Sequence, residues 1–269
     1  MSTGEVQETA GGTESDTREG IRGTVAGMAE QANPAFAIGV VVVPLLALAY
    51  AVEVGPLQHH IYVHVMAGVM WTGIDLFFGL VLGPVIGGLS ETEKANVFKR
   101  LTPKTSFLLP VLAMTTIFGG ITLAIREGWF PHSNAWLAVF TAVNLVPAVA
   151  LIGWNFDALR DWRWQGWQAV VTVGSLAWVA TSYQNLGTIP VPIALALAIV
   201  TILSVQGFGL LLPGEVRIYT EMRSSNPDHA VVNRIGMRNA KLSGVQGFFQ
   251  LCLIAVMVWL SAGSFPLPF

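Results

Sequence analysis

Runs of 18 or more mostly apolar residues recur along this chain from Ala35 to its C-terminus, and nothing else constrains its fold as tightly. A helix needs about 20 such residues to cross roughly 30 Å of hydrocarbon. Within that layer every backbone N–H and C=O must be bonded inside the protein, which leaves helices and closed barrels as the structures that cross it. Hydropathy marks seven spans, at 35–54, 60–88, 106–125, 135–156, 167–184, 189–213 and 243–263. The expected fold is all-α: a polytopic membrane helical bundle of about seven transmembrane helices over residues 34–269, with the lipid bilayer as its surroundings. Charged residues make up 11% of the chain, against about 25% in a soluble domain.

Residues 1–33 differ in kind. They hold six acids, two arginines (Arg18 and Arg22) and few large apolar side chains, too little burial to offset ordering entropy. A disordered acidic cytoplasmic tail is expected there. It lacks the basic start and early apolar run of a secretory signal. Cytoplasmic loops collect Lys and Arg. With the N-terminus inside, 13 of the 14 basic residues fall on the cytoplasmic side, and Arg126 is the exception. Seven spans, N-in and C-out, in a cell membrane is the resulting topology. Cys252 stands alone in an apolar run, so no disulfide framework exists.

The chain also repeats a pattern. Phe78-Gly79-Leu80-Val81-Leu82 closes span two and Phe208-Gly209-Leu210-Leu211-Leu212 closes span six, with Pro84 and Pro213 soon after. Arg100-Leu101-Thr102-Pro103-Lys104 and Arg234-Ile235-Gly236-Met237-Arg238 share spacing and charge in the loops that follow. Four spans separate the copies, so both run the same way through the membrane, as in a parallel repeat.

Span two carries the chemistry. On a wheel of 100° per residue, His60, His64, Gly68, Trp71 and Asp75 fall within about 40° of one line, while Met66 and Met70 point elsewhere. Ionisable groups inside a span are costly and face the bundle interior or a polar cavity. Gly68 lets a helix or a flat ligand approach the stripe closely. An imidazole in an apolar bundle is a usual axial ligand for haem iron. His60 and His64, at i and i+4, could instead hold copper or zinc. Asp75 has no Lys or Arg in any span to pair with. It is expected to be protonated or hydrogen-bonded to an indole or amide, with Gln206, Gln246, Gln250, Asn144, Ser182 and Tyr183 as partners within other spans. The plainer alternative makes His64 a histidine satisfied by a backbone carbonyl and Asp75 a tie between helices.

His64-Val-Met-Ala-Gly68-Val-Met-Trp71-Thr-Gly73, the pattern H-x3-G-x2-W-x-G opening a long span, resembles a set of bacterial and archaeal membrane proteins. The set includes copper-resistance D-type proteins and the membrane domain of cytochrome c-fused urate oxidases; membrane-type protoporphyrinogen oxidase is similar more distantly. The likeness covers mainly residues 60–125. It implies a b-type haem or a copper ion near His64. Where the oxidase has Arg soon after a Pro, Val85 follows Pro84 here, and no C-x-x-C-H occurs. A retinal protein is excluded by the lack of a lysine within the last span, at 243–263. Motifs for nucleotides, zinc peptidases and nucleic acid are absent.

The leading expectation is a redox membrane protein binding haem b, with His64 as one axial ligand. The second ligand would be His132 or the His60 of a neighbouring copy, so a homo-oligomer or a redox partner is implied. A metal-ion or proton transporter, with His60, His64 and Asp75 as a descending path, is the alternative from a different class. A structural accessory subunit of a membrane complex is the third.

Overall fold

The computed structural model describes residues 21–263, and among them every regular element is a helix. In chain order these are α1 (Ile21–Ala32), α2 (Pro34–Glu53), α3 (Leu57–Phe77), α4 (Gly83–Gly87), α5 (Glu91–Arg126), α6 (Ser133–Asn155), α7 (Trp162–Ser182), α8 (Val191–Gln206), α9 (Leu212–Met222) and α10 (His229–Ala262). The bundle is apolar outside and polar inside. Ile38, Val43 and Leu46 on α2, and Phe248 on α10, are more than 60%, or nearly half in the case of Leu251, exposed. Asp75, Asn144, Gln206, Asn239, Ser243, Gln246 and Gln250 are buried. Exposed apolar surface on this scale marks a lipid-facing protein.

Two of the long helices are broken in the same way. The π turn Phe78–Leu82 joins α3 to α4, and the π turn Gly207–Leu211 joins α8 to α9. The cause is Pro84 and Pro213. A proline has no N–H and its ring clashes with the carbonyl four residues back, here Leu80 and Gly209, both inside the π turns. Widening to i→i+5 bonding, seen as Gly83 N–H to Phe78 O and Leu212 N–H to Gly207 O, absorbs that clash. Each broken helix is followed by a long, capped one. Ser90 and Glu93 form a reciprocal capping box on α5, and Asp228 accepts from Ala230 and Val231 N–H on α10. The repeat read from the two Phe-Gly-Leu motifs is thus matched by the same order of elements: broken helix, loop, capped helix of 36 or 34 residues. α3, α5, α8–α9 and α10 make the central four-helix core.

Six helical segments are long and apolar enough to cross a membrane: Pro34–Glu53, Leu57–Gly87, Glu91–Arg126, Ser133–Asn155, Val191–Met222 and His229–Ala262. The expected fifth span corresponds to α7, a helix of 21 residues whose Gln165 and Gln168 lower its apolarity below theirs. α7 nevertheless runs antiparallel to α6 along its whole length. Asn134 bonds Ser182, Gln168 bonds the Val146 carbonyl, and Gly153 receives the Trp164 indole.

At the N-terminus the structure departs from the sequence reading. Residues 21–32, assigned by composition to the disordered tail, form α1, which packs on α5 and α2 with Met28 and Ala32 buried. A second contact comes from α9: the Tyr219 hydroxyl and Arg223 fill the space a Cβ would take at Gly27. The rest of the expected tail, residues 1–20, lies outside the described residues.

Candidate functional site

The stripe His60, His64, Gly68, Trp71 and Asp75 is one face of α3, and it is turned inward. His60 is 1% exposed, Trp71 4% and Asp75 0%, whereas Met66 and Met70 face outward. The upper part of the stripe packs on α5. His60 Nε2–H donates to the Gly119 carbonyl at 3.0 Å and lies 3.1 Å from Thr122 Oγ1. His64 Nδ1–H donates to the Thr116 carbonyl at 2.9 Å. A carbonyl only accepts, so these bonds set which ring nitrogen carries the proton. Glycine makes the fit: a Cβ at Gly120 would stand 2.8 Å from His64 Cε1, and one at Gly68 would stand 3.3 Å from the Thr116 methyl.

Below the histidines Trp71 joins Ala67, Leu112, Ala113 and Leu203 in an apolar layer. Beneath that layer the Asp75 carboxylate accepts a 2.9 Å hydrogen bond from Gln250 Nε2–H on α10, with Ser243 and Trp71 beside the same carboxyl. Asp75 Oδ1 and Gln250 Oε1 are buried without a hydrogen-bond partner. Such atoms are costly in an apolar interior.

A cavity opens at this point. It lies among all four core helices, with Trp71 and Asp75 at one end and Glu215 and Asn239 at the other. Its water-sized interior is about 70 Å³, and one water needs about 10–15 Å³ of such space. Several waters fit. The polar side of the cavity is a stripe on α10: Asn239, Ser243 and Gln246, continuing to Gln250, at i, i+4, i+7 and i+11, each 5% exposed or less. Glu215, partly buried, accepts from Asn239 Nδ2–H at 2.9 Å, and its other oxygen lies 3.4 Å from Thr105 Oγ1.

Five of the six site residues expected from sequence therefore share one face, but Trp71 and Asp75 alone among them line the cavity. His132 is apart from the stripe. It is the exposed residue before α6, in a left-handed conformation at φ 55°, with its ring against Gly187. His60 Nε2 and His64 Nδ1 bond carbonyls of α5, which leaves His60 Nδ1 and His64 Nε2 as the ring nitrogens that carry lone pairs, and neither histidine lines the cavity. Among the described residues no three His, Cys, Asp or Glu side chains gather into a metal-ion cluster. Sequence reasoning missed Glu215, because span six was ended at Pro213. The signal was present: proline is tolerated in the first turn of a helix, and Glu215, Ile218 and Tyr219 share one helical face.

Compared with known proteins, the chain matches no protein-family model, no curated protein and no solved structure.

Proposed function

We propose that this chain is a multi-pass membrane protein that moves protons, with Asp75 as the buried site where the proton is held. The observation that carries the reading is Asp75 itself: fully buried, tied to an amide rather than a cation, and facing a cavity with one oxygen unpartnered. A group placed at that cost in a span has a functional role by default. The histidine seam supplies polar groups above the apolar Trp71 layer, and the cavity supplies them below it. From His60 to Asp75 is 15 residues of α3, about 22 Å of rise. From Gln250 to Asn239 is 11 residues of α10, about 16 Å more. Together, at about 38 Å, they exceed a hydrocarbon core of about 30 Å and reach into the headgroup regions. The layer of Trp71, Leu112 and Leu203 interrupts the seam and would act as the barrier to leakage.

Orientation follows from charge. Lys94, Lys99 and Arg100 near the start of α5, Arg160 and Arg163 at the α6–α7 connection and Arg223 just after α9 share one end of the bundle, so that end is assigned to the cytoplasm, and with it the Glu215 end of the cavity. The test is proton flux into liposomes containing the purified protein, driven by a potassium diffusion potential and read with an entrapped pH dye. Wild type should carry flux, and Asp75→Asn, which keeps size and hydrogen bonding, should fold normally and carry none. Equal flux in both would overturn the reading.

A further inference from the structure

The two carboxyl groups at the ends of the cavity belong to one device. We infer that Glu215 is a second proton station, exchanging a proton with Asp75 through the cavity along the polar stripe of α10; this rests on the proton-transport reading. Each carboxylate is bound to one end of that stripe: Asp75 to Gln250 and Glu215 to Asn239, both at 2.9 Å. Ser243 and Gln246 lie between, both nearly fully buried and both lining the cavity. Neither carboxylate is in an ion pair among the described residues. At that end Arg238 Nη2–H donates to the Leu210 carbonyl at 3.4 Å and lies 3.5 Å from Asn239 Oδ1, and Arg217 donates to the Asn155 carbonyl at 3.0 Å. Glu215 is partly exposed where Asp75 is not.

The step is a transfer with no redox change. The O–H bond of protonated Asp75 breaks, the proton passes by way of water and the Ser243 hydroxyl, and an O–H bond forms on the Glu215 carboxylate. The amides hold the two carboxyls in place and take no part in the transfer. The repeat also shows how the pair arose in space. Aligned by their π turns and prolines, at an offset of 129 residues rather than the 130 of the Phe-Gly-Leu motifs, the copies set Glu215 opposite Ile86, and both line the cavity. The first copy gives a carboxylate above its π turn and the second gives one below.

The experiment reads proton access to Asp75 without requiring transport. In lipid films of the full chain, the carboxylic C=O infrared band of Asp75 is assigned by its loss in Asp75→Asn. Its shift on switching to D₂O is then timed. Glu215→Gln keeps the hydrogen bonds to Asn239 and Thr105 and should fold. It should slow exchange at Asp75 by about 10²-fold, the usual contribution of one positioned proton carrier. Ser243→Val should slow it as well while leaving the Glu215 band in place. Unchanged exchange in both variants would overturn the inference, as would a wild-type Asp75 that shows no protonated band from pH 4 to pH 9. Flux measured on the same samples separates the two ideas. Flux lost in Asp75→Asn but normal in Glu215→Gln leaves the transport reading standing and removes the second station. Absent wild-type flux with Glu215-dependent exchange does the reverse.

Discussion

Gly79 and Gly244 meet backbone to backbone where the π turn after α3 crosses α10. A Cβ added at Gly79 would fall onto the Gly244 backbone, whereas one added at Gly244 would stand 3.1 Å from Gly79 Cα. Small residues at helix crossings in lipid let main chains approach and gain dispersion contact. This crossing fixes the height of α3 against α10, and so the alignment of Asp75 with Gln250.

The two positions should respond unequally. Gly79→Ala forces the helices apart and should cost about 1–3 kcal/mol, the range for overpacking. Gly244→Ala requires a shift of a few tenths of an ångström and should cost less. Thermal unfolding in detergent measures both. Equal losses would show that the crossing yields symmetrically.

The histidines provide a second comparison. His60 is buried and donates to a carbonyl deep in the α3–α5 interface; His59 is exposed and reaches the Tyr50 hydroxyl at 3.2 Å. His60→Ala leaves the Gly119 carbonyl without its side-chain donor and opens a void, so a loss of about 1–3 kcal/mol is expected. His59→Ala should change stability by less than about 0.5 kcal/mol. The visible spectrum of the purified protein checks the chemistry on the same samples. No Soret band dependent on His64 is expected, and one that disappears in His64→Ala would restore the haem reading.

The division between what was legible and what was not follows from which interactions act locally. The inward face of α3 could be read because helical periodicity alone puts His60, Trp71 and Asp75 on one line. Gln250 was among the partners read for Asp75 because buried amides in spans are few. The destination of the histidines was open between a ligand and a backbone carbonyl. What tertiary contact adds is the carbonyl partner: the Gly119-Gly120 pair on α5 makes a flat seat that no pattern in span two reveals, and one ring nitrogen of each histidine bonds a carbonyl there. Glu215 was lost because Pro213 reads as a helix end, whereas the π turn before it lets the helix continue. α1 was lost because its burial comes from Met28 and Ala32 alone, too sparse a pattern to outweigh a polar composition.

α1 gives the third prediction. Met28 is 4% exposed and Ala32 is at 0%, whereas Val25 on the same helix is half exposed. Met28→Asp buries an unpaired charge and should detach α1, lowering stability by about 2 kcal/mol or more. Glu30→Ala, on the exposed face, should change it by less than about 0.5 kcal/mol. Limited proteolysis between residues 21 and 33 reports detachment directly. If both variants resist cleavage like wild type, α1 does not depend on Met28 for its seat.

The last prediction concerns α7, on which the count of crossings turns. Its 21 residues span about 31 Å as a helix, enough for a hydrocarbon core of about 30 Å. Val170, Val173 and Leu176 are each more than half exposed on its outer face, as a lipid-facing helix requires. Its contacts with α6 hold from one end to the other, and the Trp136 indole closes the far end by donating to the Gly187 carbonyl at 2.9 Å. If α7 crosses, residues 160 and 188 lie on opposite faces of the membrane. In a Cys252→Ala background, Arg160→Cys and Lys94→Cys should react with an impermeant maleimide from the same side. Thr188→Cys and His132→Cys should react from the other. Labelling of positions 160 and 188 from one side would show that α7 lies on the membrane rather than through it. The chain would then cross six times, and residues 34 and 262 would share a side.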